Sequence, residues 1–175
     1  RSSTGPGRKY SFNFTVVSYP LRRVFALALT GMGIPSSPEA ARFMLAIALQ
    51  ESGLKHRRQV VIGGAENGPA VSFWQGELTG GLIDMLARPA TKPRMLAICK
   101  MYNVTPTPAG MWEAIRYQDI VAAAAARLLI YTLPTVLPAD DMAGWQQYKK
   151  AWAPGKPKPD AWPANWALAS ATVGI

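Results

Sequence analysis

The chain has 175 residues, about one domain at the usual 100–200 residues per domain, and long enough to bury a core without staples. Hydrophobic residues make up 49% and charged residues 17%, which excludes a disordered chain. One cysteine, Cys99, and one histidine, His56, exclude an internal disulfide, a cysteine-based zinc site and a His-pair metal site. A soluble, globular domain without cofactor or metal is therefore expected. Nineteen Lys and Arg against ten Asp and Glu leave +9, with the basic positions spread along the chain. Such a field attracts polyanions, whether nucleic acid, anionic lipid surfaces or bacterial wall polymers, and does not choose among them.

Residues 1–19 read as a peripheral N-terminal arm or tag remnant with a short β-prone stretch at 12–17, and residues 20–175 as a single domain. A first helix is expected over about 20–30, halted by Gly31 and Gly33. Arg22-Arg23 before an apolar run is only faintly like a secretion signal and lacks a small-residue cleavage pattern. No apolar run reaches the roughly 18 residues needed to cross a bilayer. Ser36-Ser37-Pro38-Glu39 then supplies an N-cap serine, proline at the first helical position and an acid in the first turn. This predicts a helix through Glu51-Ser52, closed by Gly53 at C′.

Two β-prone runs, 60–62 and 71–74, flank the turn-rich Gly63-Gly64-Ala65-Glu66-Asn67-Gly68-Pro69, so a small hairpin or wing is expected. After Gly80-Gly81 helical patterns follow at 82–87, 93–102, 111–131 and 139–152. The stretch 111–131 is the most regular. Tyr117, Val121, Ala124, Leu128 and Tyr131 share one face and Ile115, Ala122, Ala126 and Leu129 another, the mark of a buried helix. Beyond Pro154 the prolines and glycines suggest a tail that wraps the surface and pins itself with Trp162 and Trp166. The expected class is mostly α (α+β), a helical domain with a small β-hairpin wing.

Glu51 is the most informative polar residue. Met44, Ile47, Ala48 and Glu51 fall at i, i+3, i+4 and i+7, so the carboxylate continues the apolar stripe of its helix. Desolvation and the negative end of the helix dipole both disfavour its charge, as a general acid working near neutrality requires. Glu66 and Glu77 are the candidate second carboxylates, and Glu77, directly after the second β-prone run, is the better placed. Alternation along that run sets Ser72 and Trp74 opposite Phe73 and Gln75. His56 has no Ser-His-Asp spacing around it and reads as solvated or structural. Cys99, within Ala97-Ile98-Cys99, reads as a buried small hydrophobe.

The stretch 45–77, with IALQES, then HRRQ, then GPAVSFWQGE, resembles phage-encoded lysozyme-like proteins related to the Glu-Ser class of lytic transglycosylases. Residues 126–131 and 152–157 are similar to the phage members too. The Leu-Met pair of that class is Phe73-Trp74 here, and its Ala-Tyr-Asn-x-Gly segment is missing. The resemblance implies a lysozyme-like fold, Glu51 as the acid/base, and Ser52, Ser72, Trp74, Gln75, Glu77 and Tyr131 as substrate-binding residues. It also implies peptidoglycan glycan strands as the partner, no cofactor, and action from a phage virion or after release to the bacterial periplasm or wall. Other virion proteins are the further partners it allows.

The expected activity is cleavage of the β-1,4 bond between the wall's amino sugars, most simply as a lytic transglycosylase. A hydrolytic muramidase with a second carboxylate and a non-enzymatic virion protein keeping the fold remain the alternatives. A nucleic-acid binder is disfavoured, because no recognition helix clusters Arg, Lys, Asn and Gln.

Overall fold

Ser37 caps the first described helix, α1 (Pro38–Ser52), its hydroxyl accepting from the Ala40 N–H at 3.2 Å, and Gly53 closes it at φ 61°. The structure is a computed structural model and describes residues 32–35 and 37–175. The expectations for 12–17 and 20–30 lie outside those residues. The sequence signals for α1 are therefore met at both ends. The helix is buried from Arg42 through Leu49, so it runs through the core and not over it.

The hairpin follows as β1 (Arg58–Val60) and β2 (Glu66–Val71), paired antiparallel with an irregular register. Here the expected second strand is displaced. Residues 72–75 are not extended but form a tight four-residue loop, closed where Val71 and Gly76 exchange backbone hydrogen bonds of 2.9 and 2.7 Å. Ser72 and Gln75 stand at φ 69° and 52°, left-handed values that L-residues adopt only when the surroundings hold them. The alternation expected along 71–74 does not exist in such a loop.

A 3₁₀ turn (Ile83–Leu86) leads to α2 (Lys92–Met101), α3 (Pro108–Tyr117) and α4 (Asp119–Tyr131). The long helix expected over 111–131 is thus two helices, broken at Gln118 with φ −108° and ψ 94°. Within α4 the burial is as expected: Ala122 through Ala126 are all fully buried, and every residue from Val121 to Ile130 is inside. Tyr117 and Tyr131 are exposed.

Next come α5 (Asp141–Trp152) and α6 (Trp162–Val173). The tail is a helix rather than a surface wrap, with Pro163 in its first turn, where proline is tolerated. Trp162 and Trp166 are buried and pack around Phe43 of α1, at ring-centroid distances of 6.5 and 6.2 Å. The indoles do pin the tail. Arg42 adds a second tie, stacking 4.4 Å over Trp166 and donating to the Pro138 and Ala139 carbonyls.

The result is a mostly helical architecture with a two-stranded hairpin beside the C-terminal end of α1. Cys99 is buried with Sγ 3.6 Å from Met111 Sδ, as a core residue. Among the described residues no helix is long and apolar enough to cross a membrane.

Candidate functional site

Where α1 ends, an open cleft of about 1190 Å³ lies against it. One wall is the hairpin, a second is the stretch 75–82, and the third is the end of α5 with the segment that follows it. Glu51 sits at the junction of the three.

Its carboxyl is half-buried, and desolvation pushes its pKa above the ordinary value. Two weaker influences pull the other way: a hydrogen bond from Tyr148 and the charge of Lys158. The Tyr148 hydroxyl donates to Glu51 Oε1 at 2.6 Å. Burial and the neighbouring carboxylate push the Tyr148 phenol well above its ordinary value, so it stays a neutral donor. The second oxygen, Oε2, has no hydrogen-bond partner among the described residues. The carboxyl thus lines the cleft with one oxygen anchored and the other without a protein partner.

Tyr148 itself is fixed by stacking. Its ring lies 5.2 Å from Trp162 at 15° and 6.4 Å from Trp152 at 29°. The indole N–H of Trp152 donates to the Trp74 carbonyl at 3.0 Å, so its ring is held at the cleft wall. Tyr148 and Trp152 come from α5, about a hundred residues from Glu51, and were not among the expected site residues. A signal existed: Trp145, Tyr148 and Trp152 at i, i+3 and i+7 put an aromatic stripe on one helix face.

Of the residues expected to bind substrate, Ser52, Gln75 and Glu77 line the cleft with Glu51. Ser52 does so with its hydroxyl already engaged, donating to the Phe73 carbonyl at 2.9 Å and accepting from the Leu54 N–H at 3.2 Å. Its work is to fasten the 72–75 loop to the end of α1. Gln75 donates to the Ser72 carbonyl at 2.9 Å, which steadies it in its left-handed backbone position.

Ser72, Trp74 and Tyr131 are not brought to the cleft. Ser72 is fully buried and accepts from the Trp74 N–H at 3.2 Å, acting as an internal brace of the loop. Trp74 is fully buried too, its indole donating to the Met44 carbonyl of α1 at 3.0 Å, so its ring is core and not a sugar platform. Tyr131 is 45% exposed beside Arg94, whose guanidinium lies 5.2 Å from its ring, away from the cleft lining. The tight loop explains the first two: turning the chain at Ser72 drives the following indole inward.

Glu66 is removed from contention as a second carboxylate. Its Oε1 lies 2.8 Å from His56 Nδ1 on the hairpin, and it does not line the cleft. Arg57 holds the hairpin to α4, pairing through both terminal nitrogens with Asp119, at 2.8 Å for Nη2 to Oδ2, while its guanidinium lies 4.5 Å from the Phe73 ring. Among the described residues no three His, Cys, Asp or Glu side chains gather as a metal site. Comparison with protein-family models, with curated proteins and with solved structures found no match.

Proposed function

We propose that the protein is a lysozyme-like, peptidoglycan-cleaving glycosidase, acting as a lytic transglycosylase on the β-1,4 bond between N-acetylmuramic acid and N-acetylglucosamine. The observation that carries this reading is Glu51: one carboxyl, its pKa raised by burial, anchored through one oxygen by Tyr148 and lining an open cleft. A general acid must hold its proton near neutrality and present it in a fixed direction. Glu51 gives its proton to the glycosidic oxygen, which leaves with the N-acetylglucosamine as positive charge builds on the muramic acid ring. The 6-hydroxyl of the same muramic acid then closes on the anomeric carbon, and the Glu51 carboxylate takes that hydroxyl's proton. One group serves as acid and then as base, with no water consumed.

Intramolecular attack suits a site with a single well-placed carboxyl, since proximity supplies about 7–11 kcal/mol in the best cases. The side of Trp152 at the cleft wall supplies an apolar face of the kind sugar rings stack on. Such an enzyme works on the bacterial wall, carried by a virion or released into the periplasm. A hydrolytic muramidase is the second reading, favoured by Glu77, which also lines the cleft. Mass spectrometry of wall fragments separates the two. Fragments with 1,6-anhydro ends, lighter by one water than reducing ends, are expected. Only reducing ends would make Glu77 the catalytic partner, and no fragments at all would leave a glycan-binding virion protein.

A further inference from the structure

The cleft is an acid surrounded by cations. Lys55 and Arg58 line it from the hairpin side and Lys156 and Lys158 from the segment after α5, against the two carboxylates of Glu51 and Glu77. The segment Ala153-Pro154-Gly155-Lys156-Pro157-Lys158-Pro159 contains three prolines, which fix φ and stiffen a stretch that is irregular up to the short 3₁₀ turn at Pro159–Ala161. Its start is tied where the Ala153 N–H donates to the Lys149 carbonyl at 3.0 Å. Its far end is tied from α1, where Gln50 Nε2 donates to the Lys158 carbonyl at 2.9 Å. Asn165 of α6 holds that amide in turn, donating to Gln50 Oε1 at 2.8 Å. Gln50 is the residue next to Glu51, so one helix turn carries both the acid and the tether of the lysine segment.

The backbone of this segment is held at both ends while its two ammonium groups stay exposed. Neither Lys156 nor Lys158 is within ion-pair distance of a carboxylate among the described residues. The fold therefore keeps two cations at the cleft with no carboxylate in ion-pair contact, Lys158 acting on Glu51 only through its charge at longer range. A neutral glycan offers such groups only uncharged acceptors, its hydroxyls and amide carbonyls. A glycan with carboxylates on its sugars gives each a charge-assisted partner, a stronger bond than either neutral acceptor provides.

We propose that Lys156 and Lys158 form a carboxylate-recognition subsite beside Glu51, which selects glycans bearing acidic substituents over neutral glycans of the same backbone. The subsite rests on the reading of the cleft as a saccharide site. It assigns specificity to the segment held by Gln50 and Asn165, and leaves the bond-breaking chemistry to Glu51.

Calorimetric titration of the Glu51→Gln variant, which holds ligand without turnover, tests it with two probes. One is neutral chitotetraose; the other is the tetrasaccharide of alternating N-acetylglucosamine and N-acetylmuramic acid, free of peptide. The acidic probe is expected to bind at least about tenfold more tightly, a difference of about 1.4 kcal/mol. Adding Lys156→Met and Lys158→Met collapses that ratio to near unity, while Lys→Arg at both positions retains it. Removing the same charge from α2, with Lys92→Met and Lys100→Met, leaves the ratio intact, since neither residue lines the cleft. Equal affinity for the two probes, or a ratio that survives the double methionine change at 156 and 158, overturns the subsite while the saccharide reading stands. Binding of neither probe overturns that reading, and the subsite with it.

Discussion

A carboxyl group that must release a proton and then recover it needs surroundings that commit it to neither state. At Glu51 burial favours the protonated form, while the Tyr148 hydroxyl and the Lys158 charge favour the ionised one, and burial dominates. The linkage follows in sign. A carboxyl whose pKa is raised by folding stabilises the native state fully below its ordinary value of 4.5, and loses that contribution as pH rises through the raised one. Glu51→Gln, which keeps an acceptor for Tyr148, should therefore melt above the parent at pH 7, and the gap should close as pH falls below 4.5. It should also lose wall cleavage by at least about 100-fold, the lower range for general acid catalysis. Scanning calorimetry across pH and a turbidity assay check both halves, and most of the activity surviving would end the catalytic role. Tyr148→Phe keeps the stacked ring but removes a bond that lowers the pKa of Glu51. The alkaline limb of its kcat/KM profile should move to higher pH, and an unmoved limb would show that the 2.6 Å contact does not govern the acid.

Elements reach the cleft from far apart in the chain, and this decides what the sequence could disclose. Glu51 was legible because its position needs only one helix and its stripe. The capped ends of α1 and the buried alanine run of α4 were legible for the same local reason. Tyr148 and Trp152 belong to the site only because α5 and α6 fold back over α1, which no local pattern states. The break at Gln118 was hidden likewise, since residues 112–131 contain no proline or glycine. It gives α4 its own N-terminus, where Asp119 is favoured by the helix dipole and receives Arg57 from the hairpin. The loop at 72–75 was misread because left-handed serine and glutamine carry no sequence signal of the kind glycine does. Gly144 shows how closely α5 and α6 must meet: a Cβ there would stand 2.5 Å from Trp166 Cζ3. Gly144→Ala should thus destabilise the fold by about 1–3 kcal/mol, as overpacking does, although alanine is the better helix former. A melting temperature equal to or above the parent's would mean that the two helices part at little expense.

Charge acts over the whole molecule and is unevenly placed. Five of the nineteen basic residues, Arg1, Arg8, Lys9, Arg22 and Arg23, fall in the first 31 positions, which contain no Asp or Glu. Fourteen basic against ten acidic residues remain beyond them, so more than half of the +9 surplus belongs to the first 31 positions and less than half to the rest of the chain. Attraction to a long polyanionic wall sums over all these charges, whereas a short soluble fragment meets only those at the cleft. Screening shortens the reach of every exposed charge to about 8 Å at physiological ionic strength. Raising salt should accordingly release the protein from intact walls well before it slows cleavage of short soluble glycans. Replacing Arg1, Arg8 and Lys9 by glutamine should reduce that salt dependence of wall binding. Sedimentation with wall suspensions at graded salt, beside kinetics on purified oligosaccharides, gives both numbers. The same salt sensitivity for the two substrates would mean that the surplus charge acts at the cleft alone and does not dock the protein on the wall.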